Sequence, residues 1–267
     1  MYRAMESDRP DALFHDPLAR KLAAEKGEDI IRRLPKARQM AWPMIVRTAV
    51  MDEIILRAAH REGVDTVVNL AAGLDARAYR LAVPPSLRWV DVDLPDIQGY
   101  KKEAVAGERP VCALEYVPAD LTDPASRRAL LARIGGTARR VLVIAEGLLV
   151  YLQPEQVADL ARDLYAQPSF HWWMFDLGSP RLIKMLERTW GQSLQNAPFR
   201  FAPAEGTAFF QPLGWREREY RPMFEESIRL KRSMRFARFW RWLGRLYPAK
   251  MQEEFRRMSG IVVMERR

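Results

Sequence analysis

Cysteine is nearly missing from this chain. Cys112 is the single one in 267 residues, so no disulfide can form within the chain and folding must rest on a core. It follows Pro110-Val111 with no charged neighbour to activate it, which assigns it to structure rather than to thiol chemistry. Histidine is scarce, with three in all. His15 lies beside a helix cap, His60 on a helix surface and His171 in a strand, and none is placed as a general base. No metal site is expected. No apolar run approaches the roughly 18 residues of a membrane-spanning helix. The opening stretch, Met1-Tyr-Arg-Ala-Met-Glu-Ser-Asp-Arg-Pro10, lacks the apolar region of a signal peptide. These absences predict a soluble, cytoplasmic protein without a membrane span. Internal repeats and low-complexity tracts are absent. A complete G-x-G-x-x-G is absent too, which counts against a dinucleotide site.

Hydrophobic residues make up 48 % of the chain, enough for a sizeable core. The length suits one α/β unit with added segments. The formal net charge is +9, but carboxylates are interspersed among the arginines, so the balance reads as solubility and no nucleic-acid partner is predicted. Asp16-Pro17 resembles a cap and first helical turn. Residues 41–59 have helical spacing, and Gly63 closes that segment. A buried parallel strand is expected at 67–70, followed by strands at 87–92, 113–117, 141–145 and 171–175, of which 141–145 is the clearest buried one. Helices are expected at 96–106, 125–134, 154–166 and 182–190, and an irregular connection over 191–208. Late strands are expected at 209–215 and 261–265. A helical insertion fills 223–258, where Phe236, Phe239, Trp240 and Leu243 make one apolar stripe and Arg238, Arg241 and Arg245 another face. Docking of that stripe against the protein is the expectation, with contact to a membrane surface or nucleic acid as the alternative.

The segment Thr66-Val-Val-Asn-Leu-Ala-Ala-Gly-Leu-Asp-Ala-Arg-Ala-Tyr-Arg-Leu81 organises the rest. A short apolar strand runs into Ala71, Ala72 and Gly73, small residues that let a ligand approach the backbone. The next strand ends in Asp91-Val-Asp93, and Asp93 lies 20 positions after Gly73. A carboxylate there suits two ribose hydroxyls, with Asp91 as the alternative two positions earlier. Asp75 could order the turn or meet a ligand's ammonium group. Arg47 is either a solvated helix arginine or a planar fork for a carboxylate. Asp123 caps the helix that follows, which leaves Asp120 free for ligand, with Leu121 beside it. Glu146 emerges where the strand Val141-Leu-Val-Ile-Ala145 ends.

The string from Asn69 to Leu81, followed by Val92-Asp-Leu-Pro95, resembles the leucine carboxyl methyltransferase family, including bacterial O-methyltransferases of polyketide-tailoring type. Arg47-Thr48, Ala119-Asp-Leu121 and Glu146-Gly-Leu-Leu-Val-Tyr-Leu152 extend the resemblance. It implies a Rossmann-like class I methyltransferase: a mostly parallel seven-stranded sheet with helices on both faces. An N-terminal helical cap over 1–62 would precede the core of 63–267, the whole forming one structural unit. It also implies S-adenosyl-L-methionine as methyl donor, S-adenosyl-L-homocysteine as product, and a carboxylate or hydroxyl of a small molecule, such as a natural-product intermediate, as acceptor. The donor's carboxylate falls to Arg47, its ribose to Asp93, its adenine to Asp120 and Leu121, and its positive charge to Glu146. Ala71 and Gly73 pass beneath it, and Tyr151 lines the acceptor side. The family has glycine where this chain has Ala71. A protein that holds an adenosyl ligand without catalysis, or one that associates with a surface through the basic helix, are the alternatives.

Overall fold

The computed structural model of the chain describes residues 1–33, 41–190 and 198–267. Among the described residues, α1 (Tyr2–Ser7), α2 (Ala19–Arg33) and α3 (Trp42–Arg61) precede the first strand, and α2 breaks at Ala24. The alternation then begins: β1 (Thr66–Leu70), α4 (Arg77–Arg80), β2 (Arg88–Asp93), α5 (Pro95–Ala104), β3 (Ala113–Pro118), α6 (Pro124–Gly135), β4 (Val141–Ala145), α7 (Pro154–Tyr165) and β5 (Phe170–Gly178). After α8 (Pro180–Trp190) come β6 (Trp215–Pro222), α9 (Met223–Arg229), α10 (Ala237–Gly244), α11 (Ala249–Arg256) and β7 (Ser259–Arg266). The strands form one seven-stranded sheet in the order β3-β2-β1-β4-β5-β7-β6. β1 to β5 run parallel, and β7 is antiparallel to both β5 and β6.

The apolar runs are continuous because both faces of the sheet are covered. Val68, Leu70, Val90, Val92 and Val143 point to a core shared with Leu131, Leu160 and Leu164 of α6 and α7. Their neighbours Val67, Trp89, Leu142 and Ile144 point the other way, against Val50, Ile54 and Ile55 of α3. That packing fixes α3 on the sheet and thereby decides where Arg47, one turn from its start, can reach.

Three expectations change. Residues 206–213 form a 3-10 turn rather than a strand, and β6 begins only at Trp215. Pro212 lacks the N–H a ladder needs, and Gly214 takes φ +92°, which breaks the run. Phe210 instead packs edge-on at 5.3 Å from Trp173. The insertion at 223–258 is helical as expected, in three short helices, but the apolar stripe expected to dock does not: Phe236, Phe239 and Trp240 are exposed. Asp16 does not cap a helix through its side chain; its buried carboxylate meets Arg3 at 2.8 Å and Arg80 at 3.6 Å. The expected connection at 191–208 lies partly outside the described residues. Asp123 does cap α6, accepting from the N–H groups of Ala125 and Ser126.

Asp91 is a core residue. It accepts hydrogen bonds from Lys101 Nζ at 2.7 Å, Trp89 Nε1 at 2.8 Å and Asn69 Nδ2 at 3.2 Å, and both Asp91 and Lys101 are buried. Burial pushes its carboxyl upward, and the Lys101 charge opposes that shift. Asp91→Ala would strand a buried ammonium. Denaturant unfolding should therefore show a loss of roughly 3–5 kcal/mol, and a change below 1 kcal/mol would mean that the pair does not hold the sheet.

Candidate functional site

β1 and β4 are neighbours in the sheet, and the chain leaves them toward opposite sides. Such a switch point opens a crevice at the carboxyl ends of parallel strands. Five strand ends place chemistry along this edge. Ala71 and Gly73 follow β1, both at φ +50°. Asp93 ends β2, Asp120 and Leu121 follow β3, Glu146 and Gly147 follow β4, and Asp176 lies near the end of β5.

Asp93 joins two of these ends. Its Oδ2 accepts from the Gly73 N–H at 2.5 Å and its Oδ1 from the Leu94 N–H at 2.7 Å. Each oxygen keeps a lone pair for a further donor. A Cβ placed on Gly73 would meet only the Ala71 carbonyl oxygen, at 4.0 Å, so the space above the turn is open. Asp91, the alternative for this role, is turned into the core and is excluded from it.

A second group of charges is shared between the helices and the sheet edge. The buried Arg77 guanidinium reaches Asp52 at 2.6 Å, Asp75 at 2.7 Å and Glu146 at 2.7 Å. Arg80 pairs with Asp52 at 2.7 Å. Arg47 meets Glu146 through Nε at 2.8 Å and Asp176 through Nη1 at 3.2 Å. Asp176 also accepts the Gly147 N–H at 2.5 Å. Arg47 Nη2 has no hydrogen bond or ion pair among the described residues and lies beside Gly147, where a Cβ would come within 3.8 Å. Counting Arg3 and Asp16, this network holds one carboxylate more than it has guanidinium groups. A surplus negative charge in a partly buried crevice favours a cationic ligand.

Burial opposes ionisation of Glu146, but the Arg77 and Arg47 charges overcome it and hold its carboxyl below the usual range. Asp75 is depressed further, with burial again opposed by Arg77 first and then by other cations. Its Oδ1 accepts the Arg77 N–H at 2.9 Å and its Oδ2 the guanidinium, so it orders the turn after β1.

The remaining candidates are less enclosed. Asp120 is exposed, and its Oδ1 accepts from the N–H and hydroxyl of Thr122 at 2.8 and 2.7 Å, leaving Oδ2 without a partner among the described residues. Leu121 lines a cleft with Leu148, Leu152 and Thr122. Tyr151 is exposed, with its ring 5.8 Å from Phe199, and has no hydrogen bond to the charge network. Asp52 and Asp176 escaped the sequence reading. Asp52 is a carboxylate on the apolar side of α3, and Asp176 ends a strand as Asp93 does; both signals are in the sequence. His15 is exposed, while His60 and His171 bond backbone carbonyls of Ala82 and Ser169 near the opposite sheet edge.

Residues 1–165 match the profile described as leucine carboxyl methyltransferase. The chain belongs to this family. A relative from Parafrankia sp., provisionally named an S-adenosyl-L-methionine-dependent methyltransferase, is 40 % identical over 173 residues, covering 61 % of this chain and 55 % of that protein. One from Streptomyces coelicolor with the same provisional name is 37 % identical over 169 residues, covering 59 % of this chain and 58 % of its own length. The chain thus spans little more than half the length of the curated relatives it matches. Among solved structures, a DUF574 family protein from Streptomyces avermitilis aligns over 100 % of this chain and 96 % of its own, with a TM-score of 0.60 at 16 % identity. Magnesium protoporphyrin IX methyltransferase from Synechocystis, solved with bound SAH, covers 94 % of this chain and 99 % of its own, with a TM-score of 0.51 at 12 % identity. These likenesses concern the fold, which is that of class I methyltransferases.

Ala71 takes a φ of +50°, a conformation that favours glycine. A left-handed alanine is strained by roughly 1–2 kcal/mol, partly offset by its stiffer unfolded chain. Ala71→Gly should raise stability by about 0.5–1 kcal/mol in chemical unfolding; a destabilised variant would show that the alanine methyl packs better than its backbone suffers. The depressed carboxyls give a second expectation. Their folded values lie below the unfolded ones, so their contribution is complete above roughly pH 4 to 5 and is lost as pH falls through the folded values. Melting temperature should hold from neutral pH to about 5 and fall steeply below 4, more so than in Glu146→Gln; parallel curves would remove Glu146 from the network's energetics.

Proposed function

We propose that this protein is an S-adenosyl-L-methionine-dependent O-methyltransferase acting on a carboxylate of a small molecule. The observation that carries the reading is the convergence of Arg47 and Asp93 on one sheet edge. Arg47 comes from α3, outside the sheet, yet its guanidinium meets Glu146 and Asp176 where the parallel strands end. In this reading Glu146 and Asp176 orient the fork, and the unpaired Nη2 receives the donor's carboxylate. Asp93 takes the ribose hydroxyls while it holds the Gly73 turn closed beneath them. Leu121 and its cleft offer an apolar wall for adenine, with Asp120 Oδ2 available to the exocyclic amine. The surplus carboxylate of the network suits the donor's positive charges.

The donor supplies an activated methyl group on a sulfonium centre. The protein contributes alignment: acceptor oxygen, methyl carbon and sulfur must be nearly collinear. Two features favour a carboxylate acceptor over a hydroxyl. No histidine lies at this edge among the described residues. The nearest carboxylates, Glu146 and Asp75, are arginine-bound and poor bases. An acceptor already ionised at neutral pH needs no proton removed.

Calorimetry and methyl-transfer assays test this together. S-adenosyl-L-methionine should bind and raise the melting temperature, and NAD should not. Arg47→Lys keeps the charge but not the fork, and should weaken donor binding roughly tenfold, by about 1.4 kcal/mol. Arg47→Ala should weaken it more, and adenosine, lacking a carboxylate, should feel neither change. Equal losses for adenosine would make Arg47 structural. Binding of NAD without S-adenosyl-L-methionine would end the assignment, and methylation of phenols but not carboxylic acids would overturn the acceptor class.

A further inference from the structure

One surface feature has no part in the crevice or the sheet. At about 100° per residue, α10 gathers Phe239, Trp240, Trp242 and Leu243 into an arc of roughly 160°, and Phe236 and Leu246 flank its two ends. Arg238, Arg241 and Arg245 occupy the opposite side. In a soluble fold the apolar arc should be the covered one, yet Phe236 is 63 % exposed, Trp240 54 %, Trp242 57 % and Leu246 70 %. Ala237 is what α10 buries instead. Phe239 lies 5.7 Å from Trp240 and 6.0 Å from Trp242, so the aromatic residues form a patch rather than isolated side chains.

The charge around this patch has one sign. No Asp or Glu occurs from residue 227 to residue 252. Arg229 and Arg232 are engaged by Glu53 and Glu6, whereas Arg235, Arg238, Arg241 and Arg245 have no ion pair among the described residues. A second basic element meets α11: Arg181 of α8 sits 4.6 Å over Phe255, and Lys184 and Arg188 line a depression with Met258.

We propose that α10 and the surrounding arginines are a docking surface for an anionic lipid bilayer. The helix would lie in the headgroup plane with its aromatic arc inserted and its arginines at phosphate level. Complementarity argues for this occupant. A second copy in a symmetric pair would bring unpaired arginines together without a counter-charge. Nucleic acid would use arginine and aromatic planes but would gain nothing from an exposed Leu246. Lipid uses all three. Topology roots the insertion at the crevice edge of the sheet. Pro222 and Ser259, where the insertion leaves and returns, lie beside Gly260 and Gly178 at the carboxyl end of β5, the edge that also carries Glu146 and Asp176.

Co-sedimentation of the whole chain with sucrose-loaded vesicles tests the proposal without requiring any enzymatic activity. Vesicles of phosphatidylcholine containing about one-third phosphatidylglycerol should pellet the protein, and pure phosphatidylcholine should pellet at least tenfold less. Raising salt to about 0.5 M should weaken binding but leave a residue due to insertion. A variant combining Phe239→Ser, Trp240→Ser and Leu246→Ser alters exposed side chains only, so its melting temperature should be unchanged; it should lose roughly tenfold or more in binding. Arg238→Glu with Arg241→Glu should abolish binding. The same proteins are titrated against a fluorescent single-stranded oligonucleotide and an acidic soluble peptide. No partition onto anionic vesicles, or partition that the serine variant retains in full, overturns the proposal. So does tighter binding of the oligonucleotide or peptide than of the vesicles.

Discussion

A buried guanidinium is the interaction on which the sheet's functional edge depends. Arg77 is buried away from bulk solvent, and its charge is offset by Asp52, Asp75 and Glu146. Each of those carboxylates comes from a different element: α3, the turn after β1, and the end of β4. One side chain therefore ties a helix that precedes the sheet to two adjacent strand ends. Breaking such a pair leaves an uncompensated charge in a low-dielectric setting, which costs far more than forming the pair contributes. The network resists partial opening for that reason, and the crevice inherits its rigidity.

That rigidity places Arg47. Its helix α3 is pressed to the sheet by Val50, Ile54 and Ile55, and its neighbours Glu146 and Asp176 are themselves held by Arg77 and by the Gly147 N–H. A long arginine side chain loses much rotamer freedom when it is fixed. Here two carboxylates restrict it before any ligand arrives, so one free amino group is preorganised. Asp93 achieves the same economy with the backbone: two N–H groups fix the carboxylate, and the carboxylate fixes the Gly73 turn.

The far end of the sheet follows other physics. β6 reads Trp215-Arg-Glu-Arg-Glu-Tyr-Arg-Pro222, with charged residues nearly throughout. It is an edge strand, and charged side chains protect an edge from pairing with another chain. It also carries Glu217 and Glu219, which pair with Arg257 and Arg57. The insertion between β6 and β7 reverses this economy. It leaves aromatic surface exposed and surrounds it with unpaired arginines, an arrangement that gains little from water alone.

The parallel strands, the helices between them and the position of the crevice were legible in the sequence. Buried strands such as Val141-Leu-Val-Ile-Ala145 carry their signal locally, and the string through Gly73 to Asp93 names its own turn. β6 was not legible, because an edge strand need not alternate apolar and polar residues, while Phe209-Phe210 imitated a strand until Pro212 and Gly214 intervened. Asp91 and Asp93 could not be told apart by composition, and two positions apart they share one face of β2; position along the strand decided, leaving Asp91 inside at Lys101 of α5 and Asp93 at the strand end beside the Gly73 turn. The same holds for Asp52 and Asp176, whose partners lie far away along the chain. The amphipathic pattern of α10 was plain in the sequence, but whether its apolar side is covered is a property of the surrounding surface. Local pattern determines which segments become strands and helices, since it depends on neighbours a few residues apart. Which charges meet, and which apolar faces remain open, depends on contacts between distant segments and was decided only when the sheet brought them together.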